Sequence, residues 1–94
     1  MDFLVHMEVL EIPPGDQGQT LLARERERAK ELADVGIMRR LWRIPGQRAN
    51  WGIWTASTTD ELHEALSSLP LFPYMKVTVH ALSKHPNDPG LPLE

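Results

Sequence analysis

Along the first ten residues, Phe3, Val5, Met7 and Val9 alternate with Leu4, His6, Glu8 and Leu10. A period of two predicts a strand over 3–10 with one firmly apolar face. Pro13, Pro14, Gly15 and Gly18 follow closely, and they predict a loop because they deny the backbone regular hydrogen bonding. From about Thr20 to Val35 the residues are mostly good helix formers, with Gly36 where a C-terminal cap is wanted, so a helix is expected there. "IMRRLWRI" (37–44) reads as a second strand, "PGQ" as a turn and "RANWGIWTA" (48–56) as a third strand, together a hairpin. Thr58 and Glu61 stand at capping-box spacing before "DELHEALSSL" (60–69), in which Leu62, Ala65, Leu66 and Leu69 line one side of a second helix. "PLFPYM" ends that helix with two prolines, and "KVTVHAL" (76–82) closes the pattern as a strand with Val77, Val79 and Ala81 on one face. The tail from about 83 is Pro-rich and expected to be extended.

The order β-α-β-β-α-β defines an α+β class, the ferredoxin-like sandwich with an antiparallel sheet and two helices on one face. Ninety-four residues leave room for one domain spanning 1–94 and for only a modest core. The face of the sheet away from the helices carries Leu4, Leu10 and some of the tryptophans. That is too apolar to leave in water, and a homo-oligomer, built from a sheet-to-sheet dimer or a ring, is expected to cover it.

Charge changes this picture in one place. The chain is acidic, with a formal net charge of -3, yet no Asp or Glu occurs between Val35 and Thr59, where Arg39, Arg40, Arg43 and Arg48 fall among Trp42, Trp51 and Trp54. An acidic chain without a nucleic-acid motif is a poor match for a nucleic-acid partner; a small anion suits four guanidinium groups better. The absence of cysteine removes disulfides, thiolate nucleophiles and Cys-based metal sites. The histidines, His6, His63, His80 and His85, show no i, i+4 pair on a helix, and neither a phosphate loop nor a Ser-centred nucleophile motif is present. No metal, cofactor or membrane contact is expected. "MDFLVHMEVLEIPP" resembles neither a signal peptide nor a membrane span, so a cytoplasmic location is expected.

One residue breaks the amphipathic pattern. At 100° per position, Leu21, Leu22, Ala29, Leu32 and Ala33 form a stripe on the first helix, and Glu25 falls inside it. Burying a bare carboxylate is costly, so Glu25 needs a partner or a cavity. In one reading it forms a structural ion pair with a hairpin arginine. In the other it is a general base: desolvation raises its pKa and makes it a better acceptor of a proton from a weak carbon acid. Arg40, Arg43 or Arg48 would then hold a substrate carboxylate or an enolate oxygen, with Trp42, Phe72 and Tyr74 as walls. His6 is a further expected binding residue.

"RLWRIPGQRAN" (40–50), "DELHEALSSLPLFPYM" (60–75) and "KHP" (84–86) resemble, in order, the muconolactone delta-isomerase family over nearly the whole chain. The resemblance implies a ferredoxin-like subunit of a large ring-shaped homo-oligomer, usually a decamer. It further implies a cofactor-free enzyme of the β-ketoadipate pathway of aromatic (catechol) catabolism. The implied reaction shifts the double bond of a carboxymethyl-substituted unsaturated lactone, giving the enol-lactone of 3-oxoadipate. Glu25 aligns with the helix glutamate expected to be the family's acid/base, and Trp42, Arg43 and Asn50 match its hairpin motif, which adds Asn50 to the expected binding residues. Departures are Arg40 for His, Arg48 for an aromatic, Trp54, Thr55 and Ala56 for Phe-Asp-Val, and Asn87 and Asp88 for Ser-Ser. A paralogue handling a modified lactone, dehalogenation included, and a non-enzymatic ligand-binding oligomer are the alternatives.

Overall fold

The computed structural model describes residues 1–91. β1 (Asp2–Val9), α1 (Gly15–Asp34), β2 (Met38–Arg43), β3 (Ala49–Thr55), α2 (Thr59–Ser67) and β4 (Met75–Leu82) follow one another, with a single 3-10 turn at Phe72–Tyr74 before β4. The sheet runs β2-β3-β1-β4 and every neighbouring pair is antiparallel. This is the ferredoxin-like α+β sandwich expected from the element order.

Alternation in β1 decides the sheet's two sides. Phe3, Val5 and Met7 are buried and face Trp54, Gly52 and Asn50 of β3 in register. With Leu32 of α1 and Leu62, Ala65, Leu66 and Leu69 in and just beyond α2 they make one core. Each fully buried Phe or Val contributes about 1.5–3 kcal/mol. Val77, Val79 and Ala81 pair with Met7, Val5 and Phe3 and so share the helix-side face as expected, but β4 is an edge and Val79 stays exposed. The tail from 83 to 91 is exposed and forms neither helix nor strand; residues 92–94 lie outside the described residues.

Three local expectations are corrected. α1 begins at Gly15, well before Thr20, with Pro14 as its N-cap residue: a helix start tolerates proline because its first N–H groups have no intrahelical partner anyway. Gly18 lies inside this extra turn and is buried, and a Cβ there would collide with the Pro13 carbonyl oxygen, so glycine marks a close approach rather than a loop. Ala33 of the proposed apolar stripe is exposed, because α1 turns that flank away from the sheet. α2 starts as its cap predicts, with Thr58 Oγ1 accepting from Glu61 N at 3.1 Å.

Candidate active site

Glu25 stands in the middle of α1 and is half-buried. Its Oε1 accepts a hydrogen bond from the backbone N–H of Leu71 at 3.0 Å, which ties α1 to the segment between α2 and β4. Leu71 is buried, so its N–H needs a protein acceptor, and the carboxylate supplies it. Burial raises the Glu25 pKa above its ordinary value and the Leu71 N–H lowers it, with burial the larger effect. Phe72 and Tyr74 follow at once in the 3-10 turn, where Tyr74 N donates to Leu71 O at 2.8 Å. The anchor of Glu25 and two of the expected pocket walls are thus one short segment.

The ion-pair reading of Glu25 is not what the structure shows. Among the described residues the ion pairs are Arg28–Glu31 at 3.5 Å and Lys30–Asp34 at 3.1 Å. No hairpin arginine stands against Glu25.

Nor do the expected binding residues gather on one side. Register places Asn50 and Arg43, which are paired with each other, on the helix side of the sheet. Arg48 shares that side, since its carbonyl accepts from the N–H of Val9 at 2.8 Å and Val9 continues the inward parity of β1. Arg40, Trp42 and His6 face the other way. Arg40 lies 5.0 Å from the ring centre of Trp42, Trp42 pairs with Trp51, and the His6 ring is 4.7 Å from that of Trp51. The cause is an irregularity between Met38 and Arg40, where the pairing slips by one residue. A slip of one sends every later side chain to the opposite face, so Leu41 and Arg43, not Arg40 and Trp42, follow Met38 inward. Trp54 does point inward and is fully buried, whereas Trp42 is exposed.

Two buried polar atoms on the helix side of β3 have no hydrogen-bond partner among the described residues: Asn50 Oδ1 and Trp54 Nε1. Between them Gly52 keeps the space open, for a Cβ there would stand 3.0 Å from Trp54 Nε1 and 3.0 Å from the Arg40 carbonyl oxygen. Leaving a buried donor and acceptor unpaired costs about 1–3 kcal/mol each.

A cleft of about 420 Å³ opens beside α1, lined by Asp16, Gln17, Thr20, Leu21, Arg24 and Tyr74. Leu21 lies one helical turn before Glu25, so the two side chains are neighbours on the helix surface, and Tyr74 belongs to the segment that anchors Glu25. Arg24 and Thr20, one helical turn apart on this cleft, lie outside the expected set of binding residues. A larger cleft of about 620 Å³, between Met1, Leu82 and the start of the tail, contains none of the expected site residues. No group of three or more His, Asp or Glu residues among those described is placed to hold a metal ion, and no described helix is long and apolar enough to cross a membrane.

The family profile described as muconolactone delta-isomerase matches residues 1–88. A muconolactone delta-isomerase of Cupriavidus pinatubonensis is 43% identical over 90 residues, which is 93% of this chain and 97% of the relative. That of Acinetobacter baylyi is 41% identical over 90 residues, 93% of each chain. The crystal structure of a muconolactone isomerase superposes with a TM-score of 0.84 at 38% identity, covering 98% of both chains. With profile, relatives and solved structure in agreement over the region that holds Glu25 and its Leu71 anchor, the chain belongs to the muconolactone delta-isomerase family.

Proposed function

We propose that this protein is a lactone isomerase that shifts the double bond of muconolactone to give the enol-lactone, with Glu25 as the single acid/base. The observation that carries the proposal is the Glu25 carboxylate, half-buried, free of any arginine and held through one oxygen by Leu71 N–H. The bound Oε1 fixes the group's orientation and leaves Oε2 to work as base. Oε2 takes the ring proton conjugated to the lactone carbonyl, the electron pair delocalises into a dienolate, and the same proton returns to the carbon beside the carbonyl. Atoms and charge balance without a redox partner, which is why one carboxylate suffices.

Asn50, Arg43, Arg48, Phe72 and Tyr74 are the expected binding residues that remain on the helix side or in the anchoring segment. Among them Asn50 has a buried acceptor without a partner, suited to a substrate or water hydrogen. Arg40, Trp42 and His6 leave the substrate-binding set and join the outer face. Their new neighbourhood supports the homo-oligomer: Trp42, Trp51, Leu4, Ile53 and Leu82 share that face by register, and a second copy of the chain would cover it. A cytoplasmic location belongs to the same reading.

The test is ultraviolet absorbance of muconolactone incubated with the purified protein. Turnover with proton transfer to the carbon beside the carbonyl, followed by NMR, is expected. Absence of turnover at micromolar enzyme overturns the proposal.

A further inference from the structure

Three arginines, Arg40, Arg43 and Arg48, were expected to compete for the substrate's carboxylate, all on the hairpin or its strands, yet the cleft beside α1 is lined by a different one. Arg24 precedes Glu25 in α1, lines the cleft together with Thr20, Leu21 and Tyr74, and has no carboxylate within 4.0 Å among the described residues. Asp16 lines the same cleft but lies two helical turns earlier, about 12 Å along the axis at 1.5 Å per residue. The cleft thus has an acidic end at the start of α1 and a cationic end next to the base.

We infer that Arg24 is the binding residue that receives the carboxymethyl arm of the lactone, in the cleft between α1 and the 72–74 turn. The inference rests on the lactone-isomerase reading above and supplies it with a binding residue. Three features of the geometry support it. A guanidinium matches a carboxylate as a planar two-pronged donor. Consecutive residues on a helix diverge by about 100°, so Arg24 and Glu25 address two neighbouring sectors, one for the arm and one for the ring. Tyr74 closes the cleft from the segment that holds Glu25, so a ligand there touches both the cation's side and the base's support. Arg43 and Arg48, at the end of β2 and just before β3, line neither this cleft nor the Leu71 anchor.

The assignment makes Arg24 a determinant of binding and of specificity for a carboxylated lactone. Because the arm keeps its charge through the reaction, its contact is equally strong before and during proton transfer, and such an interaction appears in KM rather than kcat.

The experiment measures affinity by calorimetry for a saturated, non-isomerisable lactone carrying the carboxymethyl arm, and for its methyl ester, against wild type, Arg24→Gln, Arg24→Lys, Arg43→Gln and Arg48→Gln. Arg24 is exposed, so its variants are expected to melt with the wild type. Arg24→Gln should weaken the acid by about tenfold to a hundredfold, the range for a hydrogen-bonded charged group, and leave the ester unchanged. Arg24→Lys should recover part of the loss, and each of the two hairpin variants should lose less affinity for the acid than Arg24→Gln does. With muconolactone, KM should rise in Arg24→Gln while kcat stays nearly constant. Wild-type affinity for the acid in Arg24→Gln, or the loss appearing in Arg43→Gln or Arg48→Gln instead, overturns the assignment alone if the wild type turns over muconolactone. A wild type that neither binds the acid nor turns over muconolactone overturns both this assignment and the reading on which it rests.

Discussion

Glu25→Gln separates catalysis from structure, because the two roles considered for Glu25 assign opposite signs to its effect on stability. If Glu25 neutralised a buried arginine, its replacement would strand a charge and cost about 3–5 kcal/mol. In the structure its partner is a neutral backbone donor, Leu71 N–H at 3.0 Å, and a glutamine Oε1 can accept that bond. What is lost is charge assistance, the difference between about 1.5–3 kcal/mol for a hydrogen bond to a charged group and about 0.5–1.5 for a neutral one, or roughly 1 kcal/mol. What is gained is relief from burying a carboxylate, and burial is the larger of the two influences on this group.

The expected stability change at neutral pH is therefore zero or a gain, with no fall in Tm. A gain of 1 kcal/mol would raise Tm by about 4–8 °C in a domain of this size. The pH dependence fixes the sign independently. Because the folded-state pKa of Glu25 is raised above 4.5, the folded protein holds its proton to higher pH than the unfolded chain. Stability falls as pH rises from 4.5 through the folded value, and this contribution to the slope is absent in Glu25→Gln. Turnover, by contrast, should drop by about 10²–10⁴-fold, the usual worth of a general base. Thermal melts between pH 4.5 and 8 beside the ultraviolet assay give both readouts. A Tm loss equivalent to several kcal/mol, or retained turnover, would refute the reasoning.

Three further outcomes follow from the same geometry. Since Glu25 must be ionised to accept a proton and burial raises its pKa, the acid limb of kcat/KM should have its midpoint above 4.5; a limb at or below 4.5 would mean another base. Gly18→Ala should lower stability by about 1–3 kcal/mol, the common cost of overpacking, despite alanine's better helix propensity, because its Cβ meets the Pro13 carbonyl oxygen; a thermal melt equal to or above wild type would show that the 12–18 segment moves freely. Trp51→Glu places a charge between His6 and His80 on the outer face, and analytical ultracentrifugation should show a multiple of the chain mass for wild type and a smaller species for the variant. A monomeric wild type would remove the reason given for the apolar outer face.

How far the chain could be read before its structure was known depended on whether a period was interrupted. β1 is uninterrupted, and its inward set, Phe3, Val5, Met7, came directly from alternation. α2 was equally legible, since Leu62, Ala65, Leu66 and Leu69 are all buried. β2 was not, because its pairing slips between Met38 and Arg40. Extrapolating from Met38 sends Arg40 and Trp42 inward, whereas the slip sends Leu41 and Arg43 there. No residue type in "MRRLW" announces such a slip. His6 lies on the outward parity of β1, so alternation alone separates it from the helix-side face. The start of α1 was obscured by Pro13, Pro14 and Gly15, which break a helix interior but are tolerated at its beginning.

The stretch "LPLFPYM" and Glu25 were recognised separately, one as a motif and the other as a misplaced acid, and the hydrogen bonds show them to be one device. Pro70 and Pro73 have no N–H to donate. Of the remaining donors around them, Phe72 N reaches Leu69 O at 2.9 Å and Tyr74 N reaches Leu71 O at 2.8 Å, which is the hydrogen bonding of a tight turn. The Leu71 N–H, buried with its residue, is paired instead with the carboxylate from α1. The prolines shape the turn, the turn aims one surplus donor at α1, and that donor holds the carboxylate by one oxygen while the other stays free. Spacing alone cannot disclose such a link, because the donor is a backbone group 46 residues away in a segment whose side chains advertise only packing. The motif therefore has a physical task that suits the role proposed for Glu25: it orients the carboxylate without neutralising it, which an arginine partner would do.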